Sequence, residues 1–190
     1  MSRKIVVTEY ISLDGVIEDP VGMEKSGLGD WTGPFNRGPE GDKFKHDELS
    51  ASDAILLGRV TYDAFAAVWP AVKDDTGFAD RMNSLPKFVV SNTLKQAEWD
   101  NTTILSDNPT EQIRHLKEHS GGDILVYGSA ALVHSLMPHG LIDEYNLMVY
   151  PTVLGRGKRL FPDGYVSKLT LVECRPLGSG IVLLRYGSEG

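Results

Sequence analysis

The stretch 123-DILVYGSAALVHSLMPHGLIDEYNLMVYPTVLGRGKRLF-161 decides the fold of this chain. Its run Ile124–Tyr127 is short and apolar, which is typical of a buried strand. The run breaks at Gly128–Ser129, and apolar residues then recur at helical spacing until Pro138. A second apolar run, Tyr145–Tyr150, predicts another strand. Strands that alternate with helices in this way predict a largely parallel sheet.

The turn between the first strand and the helix consists of four small residues, Gly128, Ser129, Ala130 and Ala131. The first turn of a helix leaves backbone N–H groups without partners, and the positive end of the helix dipole lies behind them. Small side chains allow a phosphate group to approach these N–H groups closely. The turn is therefore a candidate phosphate site, although the same residues would also suit an ordinary strand–helix connection.

The same alternation extends over the rest of the chain. Further patterns predict strands at Lys4–Ile11, Ala54–Leu57, Lys87–Val90 and Thr103–Leu105, and helices at Asp42–Ser50, Thr61–Val68 and Thr110–His119. Residues 22–41 are rich in Gly and Pro and predict a long loop, and residues 169–186 predict a hairpin. We predict one α/β domain over residues 1–190, with a mostly parallel central sheet, flanking helices and a C-terminal antiparallel hairpin.

Composition and charge exclude several classes of protein. The 190 residues carry a formal net charge of −7, which disfavours a nucleic-acid-binding surface. No apolar run approaches the ~20 residues needed to span a bilayer, and Glu9 comes too early for a secretory signal. The single cysteine, Cys174, rules out an internal disulfide and a multi-cysteine metal site. We expect a cytoplasmic protein with no membrane segment and no nucleic-acid partner.

Two other kinds of site are disfavoured. His115 and His119 are four residues apart, but HLKEH lacks the HExxH order and its charged neighbours indicate a solvated helix face. We therefore predict no metal site. The chain also lacks the Gly-x-Ser-x-Gly and HxE…PCxxC elements, which argues against a serine hydrolase and a zinc deaminase.

Two more predicted strands end in turns of the kind seen at Gly128. Gly58-Arg59 follows one of them and begins a helix, and Ser91-Asn92 follows another. Ligands of open α/β sheets bind at the carboxyl ends of the strands, so the three turns would lie along one edge. Guanidinium is the preferred partner of a terminal phosphate, which makes Arg59 a candidate ligand, although alone it would also suit a solvated helix start.

These motifs, taken in order, resemble one known family. LLGRVTYD at 56–63, VVSNTL at 89–94 and ILVYGSAAL at 124–132 resemble the dihydrofolate-reductase-like superfamily, as does the later PxxLGxGxxLF element. ISLDGVIEDP at 11–20 and GLGDWTGP at 27–34 are most similar to the reductase domain of bifunctional riboflavin-biosynthesis proteins and its stand-alone relatives. The resemblance spans Lys4–Tyr186.

The resemblance implies an NADPH-dependent reductase that forms a homodimer. Arg59 would hold the 2′-phosphate of the cofactor, and Ser91-Asn92 would contact its adenosine end without the carboxylate that NAD-specific sites use. Ser129 stands where dihydrofolate reductases have a second glycine, and its N–H would stay free to bind pyrophosphate. The residues implied for cofactor binding are Tyr10, Ile11, Ile17, Gly58, Arg59, Thr61, Ser91, Asn92, Gly128, Ser129, Ala130, Ala131 and Leu132.

On the substrate side, the resemblance implies one acidic residue on the helix that follows Trp31. Counting back from the Gly-Arg turn places this acid near Asp42. The residues implied for substrate binding are Trp31, Phe44 and His46. Burial beneath Trp31 and Phe44 would raise the pKa of Asp42 by disfavouring its charged form. Asp42 would then orient the substrate and favour protonation of the acceptor nitrogen.

Other acidic residues remain candidates for this role. A shift of one helical turn would select Glu40 or Asp47 in place of Asp42. The riboflavin branch also has acidic residues at the positions of Asp14 and Glu144. Asp14 would equally suit a turn beside a glycine, and Glu144 a solvated position where a strand begins.

The expected reaction is hydride transfer from NADPH to a C=N bond of a pyrimidine- or pterin-like small molecule. Two alternatives stay open. The substrate could be dihydrofolate itself, or the chain could be a nucleotide-binding protein without turnover.

Overall fold

Eight strands form one sheet in the computed structural model, which describes residues 2–189. They are β1 (Ile5–Ser12), β2 (Ser52–Gly58), β3 (Lys87–Val90), β4 (Thr102–Leu105), β5 (Asp123–Tyr127), β6 (Glu144–Tyr150), β7 (Leu169–Pro176) and β8 (Val182–Ser188). Their order across the sheet is β4-β3-β2-β5-β1-β6-β8-β7. All pairs from β4 to β6 are parallel, and β8 pairs antiparallel with both β6 and β7. This arrangement confirms the predicted fold class.

Helices cover both faces of this sheet. They are α1 (Gly38–Ser50), α2 (Arg59–Val68), α3 (Phe78–Ser84), α4 (Pro109–Glu118) and α5 (Ala130–Leu136). Successive side chains of β1 point to opposite faces, so Val6 and Val7 belong to different core clusters. Val6 packs in the cluster that includes Leu49 of α1, and this cluster also receives residues of α2 and α3. Val7 packs in the cluster that includes Ile113 of α4 and Val133 of α5.

The helix α3 was not predicted from the sequence. It has seven residues, and only Ala79 and Met82 of FADRMNS are buried. A helix of two turns does not repeat its apolar spacing, so periodicity gives no signal for it. Tertiary packing against the rest of the cluster determines this element.

Strands β1 and β5 diverge at their carboxyl ends. β5 ends at Tyr127, which pairs with Thr8, whereas β1 continues beside β6 to Ser12. The helix that follows β1 packs on one face of the sheet, and the helix that follows β5 packs on the other. Such a divergence opens a crevice at the carboxyl ends of the strands, which is where open α/β proteins bind ligands.

Candidate active site

A pocket of about 690 Å³ opens at this crevice, and we call it the main pocket. Its floor is formed by Thr8, Glu9 and Tyr10 of β1 and by Tyr127 of β5. Helices α1 and α2 and the segments 19–24 and 72–78 form its walls. The volume lies in the range of small-molecule sites.

Glu9 is a buried carboxyl group in the floor of the main pocket. It is 3% exposed, and its Oε2 accepts a hydrogen bond of 3.1 Å from the backbone N–H of Gly128. Its Oε1 has no hydrogen-bond partner among residues 2–189. Burial raises the pKa of Glu9 well above its ordinary value, Glu24 and Glu48 raise it further, and Lys45 opposes the shift. Burial therefore favours the protonated form, which carries an O–H that can donate a hydrogen bond.

Two other polar atoms, on residues that line the main pocket, also lack partners. The Tyr127 hydroxyl and the Trp69 indole N–H are shielded from solvent and make no hydrogen bond within the described residues. Burial raises the pKa of Tyr127 well above its ordinary value, so it stays a neutral donor. Buried polar groups of proteins are almost always paired. Three unpaired groups on residues around one cavity make this cavity a candidate ligand site.

A buried ion pair on α1 contacts the floor of the same pocket. Lys45 Nζ lies 2.6 Å from Glu48 Oε2 and donates a hydrogen bond of 2.8 Å to Thr8 Oγ1. The Lys45 and Glu48 side chains are only 7% and 4% exposed. Lys45 Nζ also lies 5.6 Å from the ring centre of Tyr10 and 5.1 Å from that of Tyr127. These contacts fix the two tyrosine rings relative to α1.

The turns at the ends of β2 and β5 are tied to each other. The Gly58 N–H donates to Ser129 Oγ at 2.8 Å, and the Ser129 N–H donates to Thr61 Oγ1 at 3.1 Å. The prediction that the Ser129 N–H stays free is therefore wrong. Gly128 and Ser129 both have left-handed backbones, with φ of 53° and 62°. A Cβ at Gly128 would lie 3.0 Å from Thr61 Oγ1, so a side chain there would crowd this junction.

A carboxylate from the loop after β1 reaches this junction. Glu24 Oε1 accepts a hydrogen bond of 2.9 Å from Thr61 Oγ1 near the start of α2. Burial raises the pKa of Glu24. The start of a helix favours an anion, and here the anion is part of the chain itself. Glu24 thus lies in the region where the resemblance implies a phosphate of the cofactor.

Arg59 connects the start of α2 to the turn after β3. Its Nε donates to Asp63 at 2.8 and 2.9 Å, and its Nη1 donates to Thr93 Oγ1 at 3.3 Å. Ser91 Oγ accepts the Leu94 N–H at 3.0 Å and so shapes this turn. A second cavity of about 630 Å³ opens beyond the carboxyl ends of β3 and β4, lined by Asn92, Leu94, Lys95, Ile104, Ser106 and Asp107.

The RibD C-terminal domain family matches residues 3–183 of this chain. The chain belongs to that family. The uncharacterized protein YyaP of Bacillus subtilis (strain 168) is 34% identical, over 99% of this chain and 96% of YyaP. This confirms the riboflavin-type resemblance, and the RibD C-terminal domain is a reductase domain.

Two solved structures share the fold. A proposed riboflavin biosynthesis protein from Shewanella sp. PV-4 has a TM-score of 0.78 and 20% identity, with all of both chains covered. A pyrimidine reductase-like protein from Corynebacterium diphtheriae has a TM-score of 0.64 and 14% identity, over 99% of this chain and 92% of its own.

Among residues 2–189, no helix is long and apolar enough to cross a membrane.

Asp42 lies at the rim of the main pocket and is not buried. Its side chain is 64% exposed, and its Oδ1 accepts a hydrogen bond of 2.6 Å from Arg37 Nε. The prediction that it lies beneath Trp31 and Phe44 is wrong, because both rings pack in a separate cluster around Tyr150. Helix α1 begins at Gly38, earlier than predicted, and in this helix it is Lys45 that points at the sheet.

Asp14 is held by the loop that follows β6. Its Oδ1 accepts hydrogen bonds from the Ser12 hydroxyl at 2.6 Å and the Leu154 N–H at 3.1 Å, and its Oδ2 accepts the Gly155 N–H at 2.7 Å. These bonds lower the pKa of Asp14 to about 2. The geometry matches the turn role and places no Asp14 atom on the lining of the main pocket.

Glu144 lies at the other end of the sheet from the main pocket. It begins β6 and pairs in register with Val6, near the amino end of β1. Its carboxylate contacts Lys4 at 3.6 Å and accepts a hydrogen bond of 3.1 Å from Arg185 Nε. Glu144 therefore belongs to an ion-pair network and does not line the main pocket.

Some of the remaining predicted residues line the main pocket, and others lie in the hydrophobic core. Tyr10 and His46 line the main pocket, where Arg37 donates to the Tyr10 hydroxyl and His46 Nε2 lies 2.9 Å from the Thr76 carbonyl oxygen. Four apolar residues instead support the turns from within the core: Ile11, Ile17, Ala130 and Leu132. Ala131 is exposed. The exposed Glu40 bonds Arg175, and Asp47 lines the main pocket beside Lys43.

The sequence did contain a signal for Glu9. It lies in IVVTEYIS, a strand buried on both faces, where an ionisable residue is rare unless it is paired or functional. Lys45 carried no comparable signal, because lysines on an amphipathic helix are usually solvated.

Proposed function

We propose that this protein is an NADPH-dependent reductase that transfers a hydride to a C=N bond of a pyrimidine- or pterin-like heterocycle. The observation that carries the proposal is Glu9, a buried carboxyl group with an unpaired Oε1 on the floor of the main pocket. Buried acids with raised pKa values in clefts are typical of sites that transfer protons. Membership of the RibD C-terminal domain family supports the reductase class.

Three places in the chain would hold the cofactor. Thr61 offers its hydroxyl near the start of α2, and Gly128 lies beside it without a side chain at the end of β5. Arg59 offers a cation beside the second cavity. NADPH held by these residues would supply the hydride. For its phosphates to reach Thr61, the Glu24 side chain must move away from that hydroxyl.

The side chains of the main pocket would perform the remaining tasks. Protonated Glu9 would donate its O–H to the acceptor nitrogen of the substrate, while the Gly128 N–H holds its other oxygen. The Tyr127 hydroxyl and the Trp69 N–H would orient polar atoms of the ring. Asp42 remains a candidate for contact with the exposed edge of the substrate.

The direct test is NADPH oxidation by the protein with a panel of reducible pterins and pyrimidines. Oxidation that depends on one of these heterocycles would support the proposal. Binding of NADPH without oxidation in the presence of any heterocycle would favour a nucleotide-binding protein and contradict the reductase.

NADPH is expected to raise the melting temperature more than NADH, because only NADPH has a 2′-phosphate for Arg59. Arg59→Ala is expected to remove most of this preference, at about 1.5–3 kcal/mol for a charge-assisted hydrogen bond. Thermal shifts with each cofactor measure the effect. Arg114→Ala is the matched control, because Arg114 is an exposed helix arginine paired with Glu111. Equal shifts with the two cofactors in the parent would contradict the role of Arg59.

Glu24→Gln is expected to tighten NADPH binding about tenfold, because it removes a negative charge from the phosphate region and keeps an acceptor for Thr61. The gain should shrink at low pH, where the parent Glu24 becomes protonated. Calorimetric titration over a pH series measures both effects. Glu98→Gln makes the same charge change at an exposed position outside both cavities. Unchanged or weaker binding by Glu24→Gln would place the phosphates elsewhere.

A further inference from the structure

A chain of three polar side chains connects the start of α1 to β1 along the main pocket. Asp42 Oδ1 accepts a hydrogen bond of 2.6 Å from Arg37 Nε, and Arg37 Nη1 donates to the Tyr10 hydroxyl oxygen. All three residues line the main pocket. Tyr10 directly follows Glu9 on β1, so the chain of hydrogen bonds ends next to the acid of the proposed reaction.

The hydrogen bond from Arg37 determines how the Tyr10 hydroxyl can act. A guanidinium group only donates hydrogen bonds, so Arg37 occupies an acceptor position on the phenol oxygen. The proton of this hydroxyl must therefore point away from Arg37. Within residues 2–189 the hydroxyl forms no other hydrogen bond, so its proton has no acceptor there. Tyr10 consequently keeps one donor for a ligand of the pocket.

The ring of Tyr10 is held by three neighbours, which fixes the position of its hydroxyl. The Tyr150 ring meets it edge-on, with 5.5 Å between the ring centres. Lys45 Nζ lies 5.6 Å from the ring centre, and Arg37 Cζ lies 5.7 Å from it. Edge-to-face aromatic pairs and cations over rings both stabilise such arrangements. A donor that is fixed before the ligand arrives loses little entropy on binding and discriminates by the position of the ligand's acceptor.

We infer that Tyr10 is a specificity-determining residue of the main pocket: its hydroxyl donates a hydrogen bond to a ring carbonyl oxygen of the heterocycle, and Arg37 directs it. This inference deepens the proposed function and rests on it for the class of ligand. Glu9 serves the acceptor nitrogen in the proposed reaction, which leaves a carbonyl oxygen as the acceptor for Tyr10. An amino group at the same ring position would bring a second donor to the Tyr10 O–H and leave both donors unpaired.

The test uses two pairs of probe ligands in which amino groups replace oxo groups. One pair is 6-aminouracil and 2,4,6-triaminopyrimidine, and the other is pterin and 2,4-diaminopteridine. Binding to the full chain is followed by tryptophan fluorescence, since Trp69 lines the pocket, at a pH where both members of a pair are uncharged. The oxo member is expected to bind about tenfold more tightly than the amino member.

Tyr10→Phe removes the hydroxyl and keeps the ring with its contacts, so the ratio of the two affinities is expected to fall to about one. NADPH affinity and the melting temperature should stay nearly unchanged in this variant. Tyr186→Phe is the matched control, because it also removes a phenol hydroxyl but lies on β8, outside the linings of both cavities. The control should keep the ratio of the parent.

A double-mutant cycle tests the role of Arg37. Arg37→Met removes the guanidinium group that directs the hydroxyl, so it is expected to lower the oxo-to-amino ratio severalfold in the parent. The same change should have no effect on the ratio in Tyr10→Phe, where no hydroxyl remains to be directed. A purely structural role of Arg37 would not produce this dependence on the Tyr10 hydroxyl. Equal effects of Arg37→Met in both backgrounds would therefore contradict the part assigned to Arg37.

The role of Tyr10 is overturned by equal or tighter binding of the amino members in the parent, by a ratio that survives in Tyr10→Phe, or by binding of no probe. A loss of NADPH affinity in Tyr10→Phe would assign the hydroxyl to the cofactor and would also contradict the inference. The ratio is measured without turnover. Absence of NADPH oxidation by the parent would therefore contradict the proposed function and leave the result for Tyr10 standing.

Discussion

Replacement of Glu9 by Gln is expected to lower the rate of heterocycle-dependent NADPH oxidation by about 10²–10⁴-fold, the usual cost of a lost general acid. Gln keeps the size of the side chain and an oxygen for the Gly128 N–H, so the floor of the main pocket should stay intact. Lower pH should restore part of the rate where solvent can supply the proton. Steady-state kinetics of parent and variant over a pH series measure both effects.

Asp42→Asn is the matched control for this experiment. Asp42 lines the same pocket, but it is exposed and bound to Arg37, so we expect a much smaller loss of rate. NADPH affinity should be nearly unchanged in Asp42→Asn. A Glu9→Gln variant as active as the parent would remove Glu9 from the reaction. A loss of rate confined to Asp42→Asn would instead assign the general acid to Asp42, as the family resemblance implies.

Glu9→Gln also changes how stability depends on pH. The pKa of Glu9 is higher in the folded chain than its ordinary value of about 4.3. At pH values between the two, the folded state binds more protons than the unfolded state. The free energy of unfolding of the parent must therefore fall as the pH rises through this window. The Gln variant should show a smaller decline, because Glu24, whose pKa burial also raises, still contributes. Urea unfolding at several pH values measures the difference independently of activity.

Lys45→Met is expected to lower the free energy of unfolding by about 3–5 kcal/mol, because it leaves the buried Glu48 carboxylate without its cation. Thr8 and Asn146 still donate to Glu48, but they do not neutralise it. Urea unfolding of parent and variant measures the loss.

Two variants on the same helix make this result specific. Lys43→Met breaks the exposed Lys43–Asp47 pair and should cost at most about 1 kcal/mol. The double change Lys45→Met with Glu48→Leu should recover much of the loss, because no unpaired charge remains buried. A Lys45→Met loss no larger than that of Lys43→Met would show that the buried pair behaves like a surface pair.

The fold was predictable because short, local stretches of the sequence specify its strands and turns. Runs such as Ile124–Tyr127 and Lys87–Val90 carry enough apolar residues to specify strands, and the turn after each run carries its own small or polar residues. Which face of α1 packs on the sheet was harder to predict, because the helix starts at Gly38 within a Gly- and Pro-rich segment. That early start puts Asp42 at the rim and Lys45 against the sheet.

The details of the site depend on contacts between distant residues. Glu24 meets Thr61 across 37 positions, and Ser129 meets Gly58 across 71. No local pattern encodes where a long loop lies, so neither contact was predictable from spacing. The positions of the turns were therefore predictable, whereas the partners of their polar atoms were not.

The position of β1 in the sheet also governs when the site can exist in a growing chain. β1 is synthesised before both of its neighbours in the sheet, β5 and β6, because Thr8 pairs with Tyr127 and Asn146. Contacts of such long sequence separation form slowly, and synthesis adds only about 5–20 residues per second. β1, with Glu9 on it, is therefore synthesised long before its partner strands. The floor of the main pocket can be completed only after β5 has left the ribosome.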